Sequence, residues 1–186
     1  IDKGLIDLDY SLEKNIKNLS EFKNKDISKL TVCILDRPRH KKIIDELKDL
    51  DVNVKLITDG DVLGVIYVSD TKYNVDMFLG IGGGPEGVLS AAALDAYDCH
   101  FQGRFIFDNE NDINDAKSMG IKDLNKKYDL SEIVKGDSIF SATGITSSDI
   151  LNGIKFDKDN YISETLITHK NSKFKKIIKN INPINE

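Results

Sequence analysis

Apolar and polar positions alternate along this chain in blocks that predict buried strands separated by amphipathic helices. The continuous apolar run TVCIL, 31–35, is typical of a strand buried on both faces, VNVKLI, 52–57, predicts a second strand, and VDMFLGI, 75–81, predicts a third, buried strand. Further strands are predicted at HFQGRFIF, 100–107, and SIFSAT, 138–143. Helices are predicted between and around these runs, at residues 11–24, 40–50, 60–68, 85–97, 111–120, 129–135 and 147–152.

The order of these elements predicts the fold class. Strand and helix patterns alternate from residue 31 to residue 152, which is characteristic of βαβ units. We therefore expect an α/β fold with a mostly parallel mixed sheet and helices on both faces. The last segment contains YISETLITH and KFKKIIKNI on either side of Lys170-Asn171-Ser172, which predicts a C-terminal β-hairpin that makes the sheet mixed.

Composition narrows the possible functions. The net charge is -5 and the pI about 5.3, which argues against non-specific nucleic-acid binding because that requires a basic face. No apolar run approaches the roughly 20 residues that cross a bilayer. No signal-peptide pattern is visible at the start of the sequence. The two cysteines, Cys33 and Cys99, are predicted to be reduced and structural, so a cytoplasmic location is expected.

The candidate chemistry follows the predicted strands. Four strands run into loops with unusual residues: DRPRH at 36–40, TDGD at 58–61, GGGPEG at 82–87 and TGITSSD at 143–149. In an open α/β sheet, ligands bind outside the carboxyl ends of the strands. We therefore expect these loops to converge at one edge of the sheet. For the last loop, helix capping is the favoured interpretation.

The DRPRH loop is a candidate phosphate site. Because Arg37 precedes Pro38, its backbone is expected to be extended, and Arg37 and Arg39 would then point to the same side. Two guanidinium groups placed in this way would clamp a phosphate or a carboxylate. A solvated basic loop next to Asp36 is the alternative. His40 is interpreted as the first residue of a helix rather than as a catalytic base.

The other two loops offer carboxylates and glycines. Asp59 and Asp61, on either side of Gly60, suit sugar hydroxyls or a divalent cation, although for this motif alone a helix cap or an Asp-Gly turn is the favoured interpretation. The glycines at 82–84 permit close approach of a ligand to the backbone at a helix N-terminus, where a phosphate is stabilised. Glu86 in the first helical turn is either a ligand of some kind or simply favoured by the helix dipole.

Together these motifs resemble the class II, GlpX-type fructose-1,6-bisphosphatases, which share the fold of the inositol-phosphatase-like superfamily. The matching segments occur in the family's order along nearly the whole chain. They are KGLIDLD (3–9), LDRPRH (35–40), TDGDV (58–62), GIGGGPEGVLSAAAL (80–94), QGRF (102–105), SATGIT (141–146) and ETLIT (164–168).

The resemblance implies a function and assigns roles to the loops. The implied activity is metal-dependent removal of the 1-phosphate of fructose 1,6-bisphosphate, in gluconeogenesis. The implied metal ligand is Glu86, for Mn²⁺ or Mg²⁺, and no catalytic residue of the family maps onto this chain. The substrate-binding residues implied by the family are Arg37, Pro38, Arg39, Asp59, Gly60, Asp61 and Gly83.

The family's chain is longer at its N-terminus, and that part carries most of the metal-binding carboxylates. Residues 1–186 are therefore expected to be the C-terminal α/β domain of a two-domain enzyme, inactive without the N-terminal metal-binding domain. A homo-oligomer is expected for the intact enzyme. Three alternatives remain open at this point: a sugar-phosphate binding module without catalysis, activity on sedoheptulose 1,7-bisphosphate, and a nucleotide-binding domain.

Overall fold

The computed structural model describes residues 4–184, apart from the side chain of Asp61. A parallel sheet in the order β2-β1-β3 forms the first half, with β1 at Thr31–Leu35, β2 at Asn53–Ile57 and β3 at Met77–Phe78. All five residues of β1 are buried, as their continuous apolar pattern predicts. The strands predicted at 31–35 and 52–57 are confirmed, whereas the strand predicted at 75–81 is confirmed only at Met77–Phe78.

The described residues contain six α-helices, and most of them match the helices predicted from periodicity. They are α1 (Leu12–Lys23), α2 (Lys41–Asp49), α3 (Asp61–Gly64), α4 (Gly84–Asp95), α5 (Glu110–Ser118) and α6 (Leu130–Ile133). The prediction at 60–68 is confirmed as one α-helical turn followed by a 3₁₀ segment, Val65–Ser69. The helix predicted at 147–152 is wrong, because residues 149–151 form bends and the rest of the segment has no regular secondary structure.

Strands in the second half form antiparallel sheets of their own. β4 (Gln102–Arg104) pairs with β5 (Lys127–Asp129), and β6 (Ile139–Thr143), β7 (Lys155–Asp157) and β9 (Phe174–Pro183) all pair with β8 (Asn160–His169). The α/β class and the C-terminal hairpin, β8–β9, are confirmed. The expectation that strands 100–107 and 138–143 join the parallel sheet is wrong. In β6 exposed positions alternate with buried ones, which suits a one-faced antiparallel strand and not a strand covered on both faces.

Two apolar clusters cover opposite faces of the parallel sheet. Val32 of β1 packs with Ile16 and Leu19 of α1 and with Leu47 of α2. The next residue, Cys33, points to the other face, where it joins the core shared with α4 and the β6–β8 sheet. Helices therefore lie on both faces of the parallel sheet, as predicted. No helix in the described part of the chain is long and apolar enough to cross a membrane.

Asp76 anchors the amino end of the parallel sheet. Its side chain is 7% exposed and accepts hydrogen bonds from the Thr31 amide at 2.8 Å and from Lys25 at 2.7 Å, with Lys23 at 3.0 Å. Burial alone would raise the pKa of Asp76, but the hydrogen bonds from Lys25, Thr31 and Lys23 outweigh it and hold the pKa below its usual value. This anchor lies at the end of the sheet opposite to the candidate loops.

The N-terminal motif is tied to the small β4–β5 sheet. Asp7 and Asp9 form ion pairs with Lys127, and Asp9 also pairs with Arg104. Gln102 accepts a hydrogen bond from the backbone amide of residue 8 at 3.1 Å. The KGLIDLD and QGRF segments, far apart in sequence, therefore contact each other through complementary charges. Lys3, at the start of the first motif, lies outside the described residues.

Candidate functional site

The candidate site lies at the carboxyl end of the parallel sheet, where three loops follow three neighbouring strands. β1 is the central strand, so its loop, 36–40, lies between the loop after β2, 58–60, which leads into α3, and the loop after β3, 79–83, which leads into α4. The side chains of the central loop contact both neighbours directly, and these contacts define the site.

Arg37 connects the central loop to the loop after β2. Its backbone is extended, with φ -135° and ψ 146°, as expected for a residue before proline. Its Nη2 donates to the Thr58 carbonyl at 2.6 Å and its Nη1 to the Asp36 carbonyl at 3.0 Å. Arg37 as a whole is half-buried. Arg37 therefore fixes the position of the segment that leads into Asp59.

Arg39 connects the central loop to the loop after β3 on the other side. Its Nε donates to the Ile81 carbonyl at 2.6 Å. Pro38–His40 forms a 3₁₀ turn, so the extended chain predicted for this loop is found only at Arg37. The two arginines therefore contact different neighbouring loops, and the one-sided clamp deduced from an extended loop is wrong. A role in phosphate binding remains a prediction for both.

The loop after β2 begins α3. Gly60 has φ +79°, a left-handed conformation that favours glycine, and its carbonyl accepts from the Gly64 amide at 2.7 Å. Asp59 is exposed and accepts from the Gly60 amide at 2.8 Å. Asp61 is the first residue of α3, and its side chain lies outside the described residues. Pairing of the two carboxylates around one ligand therefore stays a prediction.

The glycine loop leads into α4. Gly83 caps the helix with φ -68° and ψ 156°, and Pro85 is the second helical residue, one position later than predicted. The Glu86 carboxylate folds back over Gly83: a Cβ on Gly83 would lie 2.3 Å from Glu86 Oε2. Glu86 is exposed and makes no hydrogen bond or ion pair with another described residue. Its carboxylate is thus available to a ligand at the N-terminus of α4, where negative charge is favoured.

The donor set for a metal is incomplete in this part of the protein. Among the described residues no group of three or more His, Cys, Asp or Glu side chains could hold a metal ion. Divalent cations such as Mg²⁺ prefer six oxygen ligands, several of them carboxylates or waters. Glu86 therefore fits as one ligand of a metal site, and only if other groups complete that site.

The TGITSSD loop does not join this edge, contrary to expectation. Ile150 and Leu151 pack in the core with Cys33, and Asp149 pairs with Lys55 in the middle of β2 at 2.7 Å. β6 pairs with β8 in an antiparallel sheet and not with β1, β2 or β3, so its end is not among the strand ends that form this edge. The sequence did not predict the burial of His40, which is fully buried and contacts Ile81. Its position directly after a loop rich in polar residues gave no signal of burial.

A family model and individual relatives both connect this chain with the same group of proteins. The family model described as bacterial fructose-1,6-bisphosphatase, glpX-encoded, matches residues 1–182. A Synechococcus protein is 36% identical over 184 residues, covering 92% of this chain and 53% of the relative. A Trichodesmium erythraeum protein is 33% identical over 199 residues, covering 100% of this chain and 58% of the relative. Both are named D-fructose 1,6-bisphosphatase class 2/sedoheptulose 1,7-bisphosphatase. The chain thus spans about half the length of the curated relatives it matches.

Proposed function

Because this chain belongs to the family of bacterial, glpX-encoded fructose-1,6-bisphosphatases, we propose that it forms part of a metal-dependent sugar bisphosphatase. The intact enzyme hydrolyses the 1-phosphate of fructose 1,6-bisphosphate in this proposal. The names of the relatives support sedoheptulose 1,7-bisphosphate as a second substrate. We further propose that residues 1–186 are the C-terminal domain of a homo-oligomeric enzyme, and that the remaining length of the relatives corresponds to a domain with further metal ligands.

The observation that carries the proposal is the contact of the central loop with both of its neighbours. Arg37 donates to the Thr58 carbonyl and Arg39 to the Ile81 carbonyl, so three loops form one continuous edge. This edge lies at the carboxyl ends of parallel strands, where open α/β sheets bind their ligands. The proposed binding position of a small phosphorylated sugar is at this edge, in contact with all three loops.

The residues of these loops have complementary properties for a sugar bisphosphate. An arginine carries five N–H donors, of which Arg37 uses two and Arg39 one within the described residues, so both retain donors for phosphate oxygens. Asp59 and Asp61 are proposed to accept from sugar hydroxyls, with Gly60 between them. Holding a substrate by groups remote from the reacting bond accelerates the reaction through orientation. The proposed substrate-binding set is Arg37, Pro38, Arg39, Asp59, Gly60, Asp61 and Gly83.

Glu86 is proposed as the metal ligand of this domain. Its carboxylate is exposed and unpaired among the described residues, and it lies beside the backbone of Gly83. A bound divalent cation, Mn²⁺ or Mg²⁺, would supply Lewis-acid activation of water and neutralisation of phosphate charge. Glu86 would hold that cation next to the substrate, while Arg37 and Arg39 fix the phosphate groups.

The test compares the full gene product with residues 1–186. Phosphate release from fructose 1,6-bisphosphate is measured with Mn²⁺ for both proteins, with sedoheptulose 1,7-bisphosphate as the second substrate. We expect turnover by the full gene product and none by residues 1–186, because the metal site lacks its other carboxylates. Turnover by residues 1–186 at a comparable rate would contradict the two-domain proposal. A full gene product that binds the sugar phosphate without releasing phosphate would favour a binding module.

A further inference from the structure

His40 is a fully buried side chain that lies between the central strand and the glycine loop. Its Nδ1 is 2.8 Å from the Leu35 carbonyl, at the end of β1. Its Nε2 is 2.8 Å from the backbone amide nitrogen of Ile81 and 3.0 Å from the Ile81 carbonyl oxygen, in the loop after β3. One ring nitrogen therefore contacts the backbone at the end of β1, and the other contacts the backbone after β3. The imidazole has no contact with solvent.

One tautomer of His40 gives every group around the ring a hydrogen-bond partner. A carbonyl oxygen can only accept, so the Leu35 contact requires Nδ1–H as the donor. Nε2 lies near both the Ile81 amide, which can only donate, and the Ile81 carbonyl, which already accepts from Arg39 Nε. The assignment that gives each of these groups a partner has Nε2 unprotonated and accepting from the amide. The neutral Nδ1–H tautomer satisfies both requirements. The same tautomer leaves neither buried ring nitrogen without a partner, which would be energetically costly.

Ile81 is held from two directions by consecutive residues of the central loop. His40 accepts from the Ile81 amide, and Arg39 Nε donates to the Ile81 carbonyl at 2.6 Å. The next residues, 82–84, are all glycine, which has the greatest backbone freedom of any residue. A loop of this kind does not hold its own direction. The fixed peptide groups of Ile81 therefore determine where the path to Gly83 and Glu86 begins.

We infer that His40 is a positioning residue, which acts through Ile81 to set Gly83 and Glu86 relative to Arg39. The central loop thereby does more than contribute arginines: it aligns the loop that carries the proposed metal ligand. The inference rests on the proposed function for its kinetic readout only. The contact with Ile81 can be tested whether or not the protein is a bisphosphatase.

Two substitutions separate the two contacts of His40. In His40→Gln the side-chain amide reaches the position of Nε2 and can accept from Ile81, but the contact with Leu35 is lost. In His40→Asn the amide reaches only the position of Nδ1, so the contact with Leu35 is kept and that with Ile81 is lost. Both variants replace the imidazole by the same neutral amide group, so each is the matched control for the other.

In the full gene product we expect His40→Asn to raise the Mn²⁺ concentration for half-maximal activity by about 10-fold to 100-fold, as for residues that orient metal ligands. In His40→Gln the Mn²⁺ concentration for half-maximal activity should stay within about threefold of wild type. The Ile81 amide should likewise exchange its hydrogen faster in His40→Asn than in His40→Gln. A purely structural histidine would affect both variants alike. Equal Ile81 exchange in the two variants would overturn the inference.

A measurement on the unsubstituted protein covers the case in which a variant does not fold. The ¹⁵N chemical shifts of the His40 imidazole report which ring nitrogen carries hydrogen. We expect the neutral form with hydrogen on Nδ1. An Nε2–H tautomer could not accept from the Ile81 amide and would overturn the inference, which is argued from that contact. If Ile81 exchange follows the expected order while the full gene product releases no phosphate, the proposed function fails and the positioning role of His40 stands.

Discussion

The relation between Gly83 and Glu86 provides the sharpest test of the candidate site. Gly83 has φ -68° and ψ 156°, which alanine adopts without strain, so Gly83→Ala leaves the backbone unchanged. The new Cβ would lie 2.3 Å from Glu86 Oε2, well inside the 3.0 Å below which such contacts essentially do not occur. The carboxylate must therefore move by about 0.7 Å or more, and nothing else in the site has to change.

The size of that displacement sets the expected effect. Functional groups must be held within roughly 0.5 Å of their productive geometry, and a misplacement of about 1 Å can cost on the order of 100-fold in rate. We therefore expect Gly83→Ala in the full gene product to weaken activation by Mn²⁺ by about 10-fold to 100-fold. The free energy of unfolding should change by less than about 0.5 kcal/mol, since the Glu86 side chain is exposed and free to rotate away.

Gly87→Ala is the matched control on the same helix. A Cβ at Gly87 meets nothing within 4 Å, and alanine is favoured over glycine in a helix by up to about 1 kcal/mol. We expect this variant to be as stable as wild type or more so, with unchanged Mn²⁺ dependence. The assay is phosphate release as a function of Mn²⁺ concentration at saturating substrate, with chemical denaturation in parallel. Unchanged Mn²⁺ dependence in Gly83→Ala would refute the proposed role of the Glu86 carboxylate.

Two further substitutions address the metal ligand and the sheet anchor. Glu86→Ala in the full gene product should raise the Mn²⁺ requirement strongly, and an unchanged Mn²⁺ titration would reduce Glu86 to a residue favoured by the helix dipole. Asp76→Asn keeps an acceptor for Thr31 but loses the charge facing Lys23 and Lys25, so it should lower the free energy of unfolding by about 1–3 kcal/mol at pH 7. Because the pKa of Asp76 is lowered in the folded protein, its stabilisation is complete above the unfolded pKa of about 3.9 and is lost as the pH falls further. The difference in free energy of unfolding between Asp76→Asn and wild type, measured by chemical denaturation, should therefore shrink below about pH 4. A difference that stays constant below this pH would contradict the account.

Particular elements illustrate how far sequence reasoning reaches. β1 could be predicted because five consecutive apolar residues have a single stable environment, the interior of a sheet covered on both faces. The start of α4 could be predicted to within one residue from its glycine and proline signals. β6 was correctly predicted as a strand, but its antiparallel partner β8 is more than 20 positions away along the chain. No local pattern in β6 specifies that partner.

The sequence by itself determined the local elements, the three polar loops and the family to which their motifs point. Only the tertiary structure decided which loops touch, because the decisive hydrogen bonds join residues separated by 21 positions, for Arg37 with Thr58, and by 42 positions, for Arg39 with Ile81. It also decided that the two arginines reach in different directions and that His40 is buried. These outcomes depend on the order of strands in the sheet, which fixes the neighbours of each loop and is set by packing of the whole domain.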